Sequence, residues 1–550
     1  MSTPPSHLLI VPDLGQLSRR SLLKGLLVGG ATMGALAACA PSSSSPTASG
    51  SAGVGADTGA EIDLVTIALP GSLSSLDVNT EAGIFNYYVA AIAQEGLLQV
   101  EPDGTLTPAL AKEWKRVDAS TYVFTLRTDA KFADGTPVTV DDVLYSIEKA
   151  RDPKASPGTS WAWAGVDAVT QTGADEITIA LSAPNVAFEW NPTAAGALFV
   201  TSKAFFEKVG TLGTAQSLIL GSGPYKATAF QPDSYAEFER VDTWWGGVPK
   251  VKKVRFEFIS DENARLLARR SGDVDLAFSV PIGQLDQWKS VAGTRIETAS
   301  DRSWAGILFD VTVAPFDDQH VRTAIALACN RKDIVDGVLA GNGEVALGLP
   351  APAVLATAVP ESDARTLLGT IPQYDFDLDA AKAELAKSSV PGGFTVEWTY
   401  PNSGPQLGRA AQVIAADLAK IGITVNVVEQ PLEQWLASIG DGVHGLSYMW
   451  YFPTTGDPGE LVGYLLGEGN PGKFTDDTVA AKLTAANAET DPATRVAAII
   501  AANAAAAQKV AQVPLWWGVS STAVDKSLGL TDYGSFFFVG PWGSRLYAAA

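Results

Sequence analysis

Two stretches of this chain each alternate apolar and polar residues, switch to helical spacing, stop at a glycine and alternate again. In the first, Val254, Phe256 and Phe258 alternate with Arg255 and Glu257; Asp261 is placed to cap a helix through Arg270, Gly272 ends it, and Val274, Leu276 and Phe278 resume the alternation. In the second, Phe394, Val396, Trp398 and Tyr400 alternate, Ile414, Leu418 and Ile421 keep helical spacing, Gly422 terminates, and Ile423, Val425 and Val427 alternate. Strands joined through a helix have parallel sense, whereas a tight hairpin returns the chain antiparallel. Two such units, well separated in sequence, predict two α/β cores.

Between them lies a helical region. Asp317 or Asp318 can cap a segment holding Val321, Ile325 and Leu327, and Asn330 a second one with Asp333 three residues on. The region 96–218 has a different texture, with strands at Tyr122 to Leu126 and Ile177 to Leu181, an Asp134-Gly135 turn, and a helix capped by Thr139 with Asp142 three residues later. It is expected to form a smaller appended subdomain.

The amino terminus speaks to location. Ser18-Arg19-Arg20-Ser21-Leu22-Leu23-Lys24 sets paired arginines before an apolar run from Gly25 to Ala37, and Leu36-Ala37-Ala38-Cys39 closes it. The run falls short of the roughly 20 apolar residues needed to span a bilayer, so residues 1–38 read as a cleavable export signal. The arginines resemble the twin-arginine signature, and the last four residues look like a lipobox, which makes Cys39 the lipid-attachment residue and the first residue of a membrane-anchored mature chain. Residues 39–60 then form a lipidated cysteine and a linker of serine, proline, alanine, glycine and threonine, too poor in apolar bulk to fold.

The formal charge is −21, and loss of Arg19, Arg20 and Lys24 against Asp13 takes the mature chain to −23. Such acidity argues against nucleic acid and against adhesion to anionic lipid. With Cys39 acylated, Cys329 has no intramolecular disulfide partner, so stability must come from the cores.

An exported, tethered chain with two α/β lobes suggests a receptor closing around a solute, and a set of short motifs carries a resemblance. They are Glu95-Gly96-Leu97-Leu98, Pro102-Asp103-Gly104, Pro108-Ala109-Leu110-Ala111 with Trp114, Lys131-Phe132-Ala133-Asp134-Gly135-Thr136-Pro137 with Asp141-Asp142-Val143, and Gly221-Ser222-Gly223-Pro224-Tyr225. Trp244-Trp245-Gly246-Gly247, Asp261-Glu262-Asn263-Ala264-Arg265, Ser271-Gly272-Asp273-Val274-Asp275, and Pro315-Phe316-Asp317-Asp318 with Val321-Arg322 continue it. In this order they resemble the dipeptide, oligopeptide and nickel-binding family 5 of ABC-importer substrate-binding proteins. The resemblance implies an α/β, bilobal, periplasmic-binding-protein-like fold of type II with an additional subdomain and the ligand cleft between the lobes. It places lobe I in 61–95, 219–303 and 525–550, the subdomain of lobe I in 96–218, and lobe II in 304–524. It further implies a monomeric receptor, free of cofactors, that hands a solute, an oligopeptide or other polar oligomer, to permease subunits.

Most of the matching residues have local explanations such as turns and helix starts, so the ligand wall is sought among aromatics. The fourteen tryptophans include Trp161 with Trp163, Trp304 near the expected lobe crossover, Trp450 beside Tyr448 and Tyr451, and Trp516 with Trp517; Trp244 and Trp245 read as core. Rings give large contact area at low entropic cost. The candidate ligand residues are therefore Trp304, Trp450, Tyr451, Trp161 and Trp163, with Asp457 as the acid of the same loop. Peptide-binding relatives carry a carboxylate a few residues after the tryptophan, where it pairs with a peptide's amino group. Here Trp450-Tyr451-Phe452-Pro453-Thr454-Thr455-Gly456 holds none before Asp457, which matches a later, structural aspartate. A buried ammonium without a counter-charge is costly, which favours a neutral ligand such as an oligosaccharide. Catalysis is disfavoured. The mature chain has only His320 and His444 and lacks both a His-Glu-x-x-His and a Gly-x-Ser-x-Gly motif. Asp375, Asp377 and Asp379 imitate a calcium loop, but Ala380 replaces its glycine and Ala386 its final glutamate, so Asp377 reads as a helix cap and no metal site is expected. A tethered sensor or surface protein on the same fold is the remaining alternative.

Overall fold

The computed structural model describes residues 55–550 apart from 403, 432–433, 436–437 and 440–444. The export stretch, Cys39 and His444 lie outside the described residues. Lobe I is organised on Val65–Leu69, which is flanked on either side by a parallel strand, Lys253–Phe258 and Leu276–Ala277. The first strand–helix–strand unit is thus parallel, yet its strands are not neighbours: Val65–Leu69 is inserted between them, with Ile67 opposite Phe256 on one side and Leu276 on the other. The intervening helix, Glu262–Ser271, starts where Asp261 accepts the Ala264 N–H at 2.7 Å and ends at Gly272, whose φ of 85° is open to a residue without Cβ. Alternation along the central strand sends Val65, Ile67 and Leu69 into one core with Phe256 and Trp542, and Ala68 into another with Leu266 and Trp288.

The two lobes share a sheet. In its nine strands, Leu446–Tyr451, Thr294–Phe309, Gln512–Asp525 and Leu276–Ala277 follow in order, then Val65–Leu69, Lys253–Phe258, Tyr235–Arg240 and Tyr225–Gln231, with Glu344–Val345 also on Gln512–Asp525. The long antiparallel strands Thr294–Phe309 and Gln512–Asp525 run through both lobes, and their ladder slips between Ser300 and Trp304. Residues 301–303 therefore lie where the chain crosses from one lobe to the other. On the return, residues 519–525 pair with 294–300, and Ala523 and Val524 with lobe I strand Leu276–Ala277, so the crossing falls near Gly518 rather than at 524.

In lobe II, Phe394–Pro401 and Ile423–Gln430 pair directly in parallel around helix Pro405–Ala419, with Val396 opposite Val425. One face of this lobe buries Trp398, Leu407, Ile414, Tyr448 and Trp516, the other Trp304, Met449, Val496 and Trp517. Helix Gln319–Leu327 begins at Asp318, and Leu378–Leu385 at Asp377, which accepts the N–H groups of Asp379 and Ala380. The subdomain has an antiparallel sheet of four strands, Ala111–Asp118, Thr121–Leu126, Glu176–Leu181 and Val166–Gln171 in spatial order, covered by helix Val140–Arg151. Thr139 and Asp142 cap that helix reciprocally. Its core holds Tyr122, Phe124, Ile147, Trp163 and Phe188, each worth about 1.5–3 kcal/mol of burial.

The linker ends earlier than its composition suggests. Asp57 bridges to Ala549, the Thr58 N–H donates to the Ala548 carbonyl at 3.0 Å and the Ala550 N–H to the Ala56 carbonyl at 3.0 Å, so residues 56–58 are pinned to the last residues of the chain. Among the described residues, no helix is long and apolar enough to cross a membrane.

Candidate functional site between the lobes

The polar residues Asp301, Arg302 and Ser303 occupy the crossover between lobes, immediately before the strand turns continuously apolar at Trp304. Arg302 is 6% exposed. Its Nη1 donates to the Thr454 carbonyl of lobe II at 3.4 Å, and its guanidinium carbon stands 4.5 Å from the centre of the Phe536 ring. Burial lowers its proton affinity, while Tyr88, Glu460 and Asp301 act in the opposite sense. Asp301 accepts the backbone and hydroxyl protons of Ser303 at 2.8 and 2.5 Å, and burial pushes its carboxyl above the ordinary range.

The facing loop is tied down by one acid. Glu460 accepts the Tyr451 hydroxyl at 2.9 Å, the Thr454 N–H at 3.2 Å, and both the N–H (3.0 Å) and the hydroxyl of Thr455. Burial raises its proton affinity against those hydrogen bonds. Its charge also acts on Tyr87 of lobe I and on Arg302. The same loop meets the subdomain at Gly456, where a Cβ would lie 2.3 Å from the ring of Trp190; only glycine lets the two surfaces approach this closely. Groups from lobe I, lobe II and the subdomain thus converge on the segment 454–460.

Of the residues singled out from sequence, Tyr451 belongs to this centre: its phenol reaches Glu460 and its ring stacks on Tyr464 at 5.1 Å. Trp450, one residue earlier on the strand, faces the opposite side of the sheet, half-buried and edge-on to Phe452 at 4.9 Å. Trp304 is fully buried, and its indole donates to the Gly348 carbonyl at 3.0 Å. Trp163 is core to the subdomain and donates to Ala197, whereas Trp161 is 61% exposed on its surface. Asp457 is held in a buried, two-pronged ion pair with Arg495, at 2.5 and 3.0 Å. Burial disfavours the Arg495 charge, and the charge and hydrogen bonds of Asp457 reverse this, holding its proton affinity above the ordinary value. Trp244 and Trp245 both donate to the buried carboxylate of Glu95. His320 is half-exposed and pairs with Glu384 at 2.8 Å. Arg302, Tyr88, Phe536 and Glu460 escaped the sequence reading. The signal for Arg302 was present, in two charges set side by side in a strand that turns continuously apolar from Trp304 onward.

Among the described residues, no group of three or more His, Cys, Asp or Glu side chains could hold a metal ion. Two α/β lobes joined by a pair of crossing strands, with polar groups converging at the crossing, define a bilobal solute receptor. The chain belongs to the bacterial extracellular solute-binding proteins, family 5, whose model matches residues 105–473. It is 27% identical over 432 residues to "Probable di/tripeptide-binding protein 5" of Pseudomonas aeruginosa, covering 71% of this chain and 79% of that one. It is 25% identical over 489 residues to the periplasmic oligopeptide-binding protein OppA of Escherichia coli, covering 83% and 87%. Among solved structures it is similar to AgaA of A. tumefaciens R10 in complex with agropinic acid, with a TM-score of 0.76 and 26% identity over 88% of this chain and 99% of that one. It also shares the fold of Helicobacter pylori DppA bound to the peptide STSA, with a TM-score of 0.77 and 20% identity over 89% and 99%. The protein is accordingly an extracytoplasmic receptor that captures a small ligand between its lobes for an ABC importer, and it binds rather than catalyses.

Proposed function

We propose that this receptor captures a small polar oligomer of the peptide class at the crossover centre and is tethered beside its permease through lipid on Cys39. The carrying observation is the convergence at Arg302, where the Thr454 carbonyl of lobe II and the Phe536 ring of lobe I meet one side chain. A ligand touching this centre bridges both lobes, which is what converts binding into closure. Tyr451 is the aromatic residue we carry into the ligand wall at this centre; Trp450 faces the other side of the sheet, and Trp304, Trp163 and Asp457 are engaged in cores and in an ion pair. With Asp457 paired to Arg495 and Glu460 accepting from its own loop, a free amino terminus has no open acid between 451 and 460, so a peptide-class solute must be held here by other groups.

Mature protein incubated with a peptide-rich extract, washed and denatured should release a defined solute. That solute, returned at a hundredfold excess over its dissociation constant, should stabilise the protein by about 2.7 kcal/mol. Absence of any released solute would count against the receptor site. For the anchor, Cys39→Ala should shift the protein from the membrane fraction to the soluble extracytoplasmic fraction, since acyl chains supply the attachment. Retention on membranes at the wild-type level would refute lipid anchoring at Cys39.

A further inference from the structure

The subdomain touches both lobes, but by different means. On the lobe I side, Lys149 pairs with Asp77 at 2.8 Å with both side chains buried, and the Thr159 hydroxyl donates to Asn79 at 2.9 Å. The Arg127 guanidinium carbon lies 3.4 Å from the centre of the Trp245 ring. Buried polar ties are costly to break, so the subdomain moves with lobe I. On the lobe II side, surfaces meet without such ties. The Trp190 ring sits on Gly456, and a Cβ on Gly104, in the Pro102-Asp103-Gly104 turn, would lie 2.8 Å from the methyl carbon of Thr357. The charges of Glu189 and Arg495 act on each other across the boundary. The chain passes between the lobes along the two crossing strands, and residues 96–218 are continuous with lobe I at both ends, so subdomain and lobe II are free to part.

Gly456 is the informative residue. It is not among the glycines of positive φ, so its backbone is open to residues with a side chain. What its place excludes is volume, since a Cβ would lie 2.3 Å from the Trp190 ring. That ring is 7% exposed and is backed by Val100 and Phe536, so it has no room to withdraw. Two residues before Gly456, the Thr454 carbonyl accepts from Arg302, and the Gly456 carbonyl itself accepts the Thr357 hydroxyl at 2.8 Å. Three residues of one loop therefore touch both the crossover centre and the subdomain.

Resting on the receptor reading above, we infer that the subdomain is a latch on closure: Trp190 seated on Gly456 holds lobe II shut, so a surface away from the crossover centre sets how long solute is retained. The seat is complete only when the lobes are closed, because lobe II carries Gly456 and lobe I carries the subdomain. Its loss raises the population of the open form and appears mainly as faster release. Trp190 and Gly456 are positioning residues: they act through the loop and not on the solute.

Wild type, Gly456→Ala and the double variant Gly456→Ala/Trp190→Phe are loaded from a peptide-rich extract, freed of unbound material and sampled over time for the solute still held. Gly456→Ala should release about tenfold faster than wild type, because the added methyl overfills the seat. Trp190→Phe, shorter at the ring end that meets residue 456, should slow release again in the double variant. The urea midpoint of ligand-free Gly456→Ala should equal that of ligand-free wild type, a result that a permanent contact between subdomain and lobe II would not give. In wild type, loading should slow amide hydrogen exchange across 186–190 by about tenfold. The latch is overturned if Gly456→Ala releases at the wild-type rate, if its ligand-free midpoint falls, if the double variant releases as fast as Gly456→Ala, or if loading leaves exchange at 186–190 unchanged. Should wild type retain no solute at all, the receptor reading fails and the latch with it. Retention by wild type together with any of the preceding results sinks the latch alone.

Discussion

Asp457→Ala is expected to destabilise the protein by about 3–5 kcal/mol, read as a lower urea midpoint at unchanged slope, because it leaves the Arg495 guanidinium buried without its counter-charge. Asp457 is 4% and Arg495 8% exposed, and the two share hydrogen bonds of 2.5 and 3.0 Å. Arg495→Ala should cost a similar amount for the converse reason. The double substitution with apolar residues of matched volume should cost far less than the two single losses combined, since no orphaned charge remains. Solute capture by the folded fraction of Asp457→Ala should match wild type. Were Asp457 instead an anchor for a peptide's amino group, the substitution would abolish capture and leave the unfolding free energy within about 0.5 kcal/mol of wild type, the range of a surface change. The two outcomes are exclusive.

The fold was readable wherever periodicity and caps are local. Asp261, Thr139, Asp318 and Asp377 each cap the helix their spacing implied. The pairing of strands was less so: nothing between 254 and 278 reveals that residues 65–69 insert between the two strands, because that contact is set by burial of a third strand on both faces. The return crossing near Gly518 was hidden for a related reason, since Val519 to Val524 continue one strand and change only their partners. For the candidate site, aromatic content pointed at the loop where the structure joins Tyr451 to Glu460, but not at the direction each ring takes. A tryptophan on a strand is equally visible in sequence whichever way it faces, and Trp450 and Tyr451 face opposite ways. Arg302 became conspicuous only when the fold set it between the Thr454 carbonyl of lobe II and the Phe536 ring of lobe I, a placement that needs distances.

Trp304→Ala is expected to lose about 3–5 kcal/mol of unfolding free energy, the usual cost of emptying a large aromatic site in a core. The ring is fully buried with Leu308, Met449, Val462 and Leu465, lies opposite Trp517 across the crossing strands, and would meet a Cβ at Gly306 within 2.2 Å. Trp304→Phe separates the two contributions of the side chain. It retains most of the apolar volume but removes the donor that reaches Gly348, so a residual loss of about 1–3 kcal/mol should mark the stranded carbonyl. Trp304 stands two residues from Arg302 on the strand that joins the lobes, so this core position adjoins the crossover centre. Solute capture discriminates between them. If Trp304 is core, capture per folded molecule stays at the wild-type level in both variants while the urea midpoint falls. Capture lost with the midpoint unchanged would instead place the indole in the ligand wall.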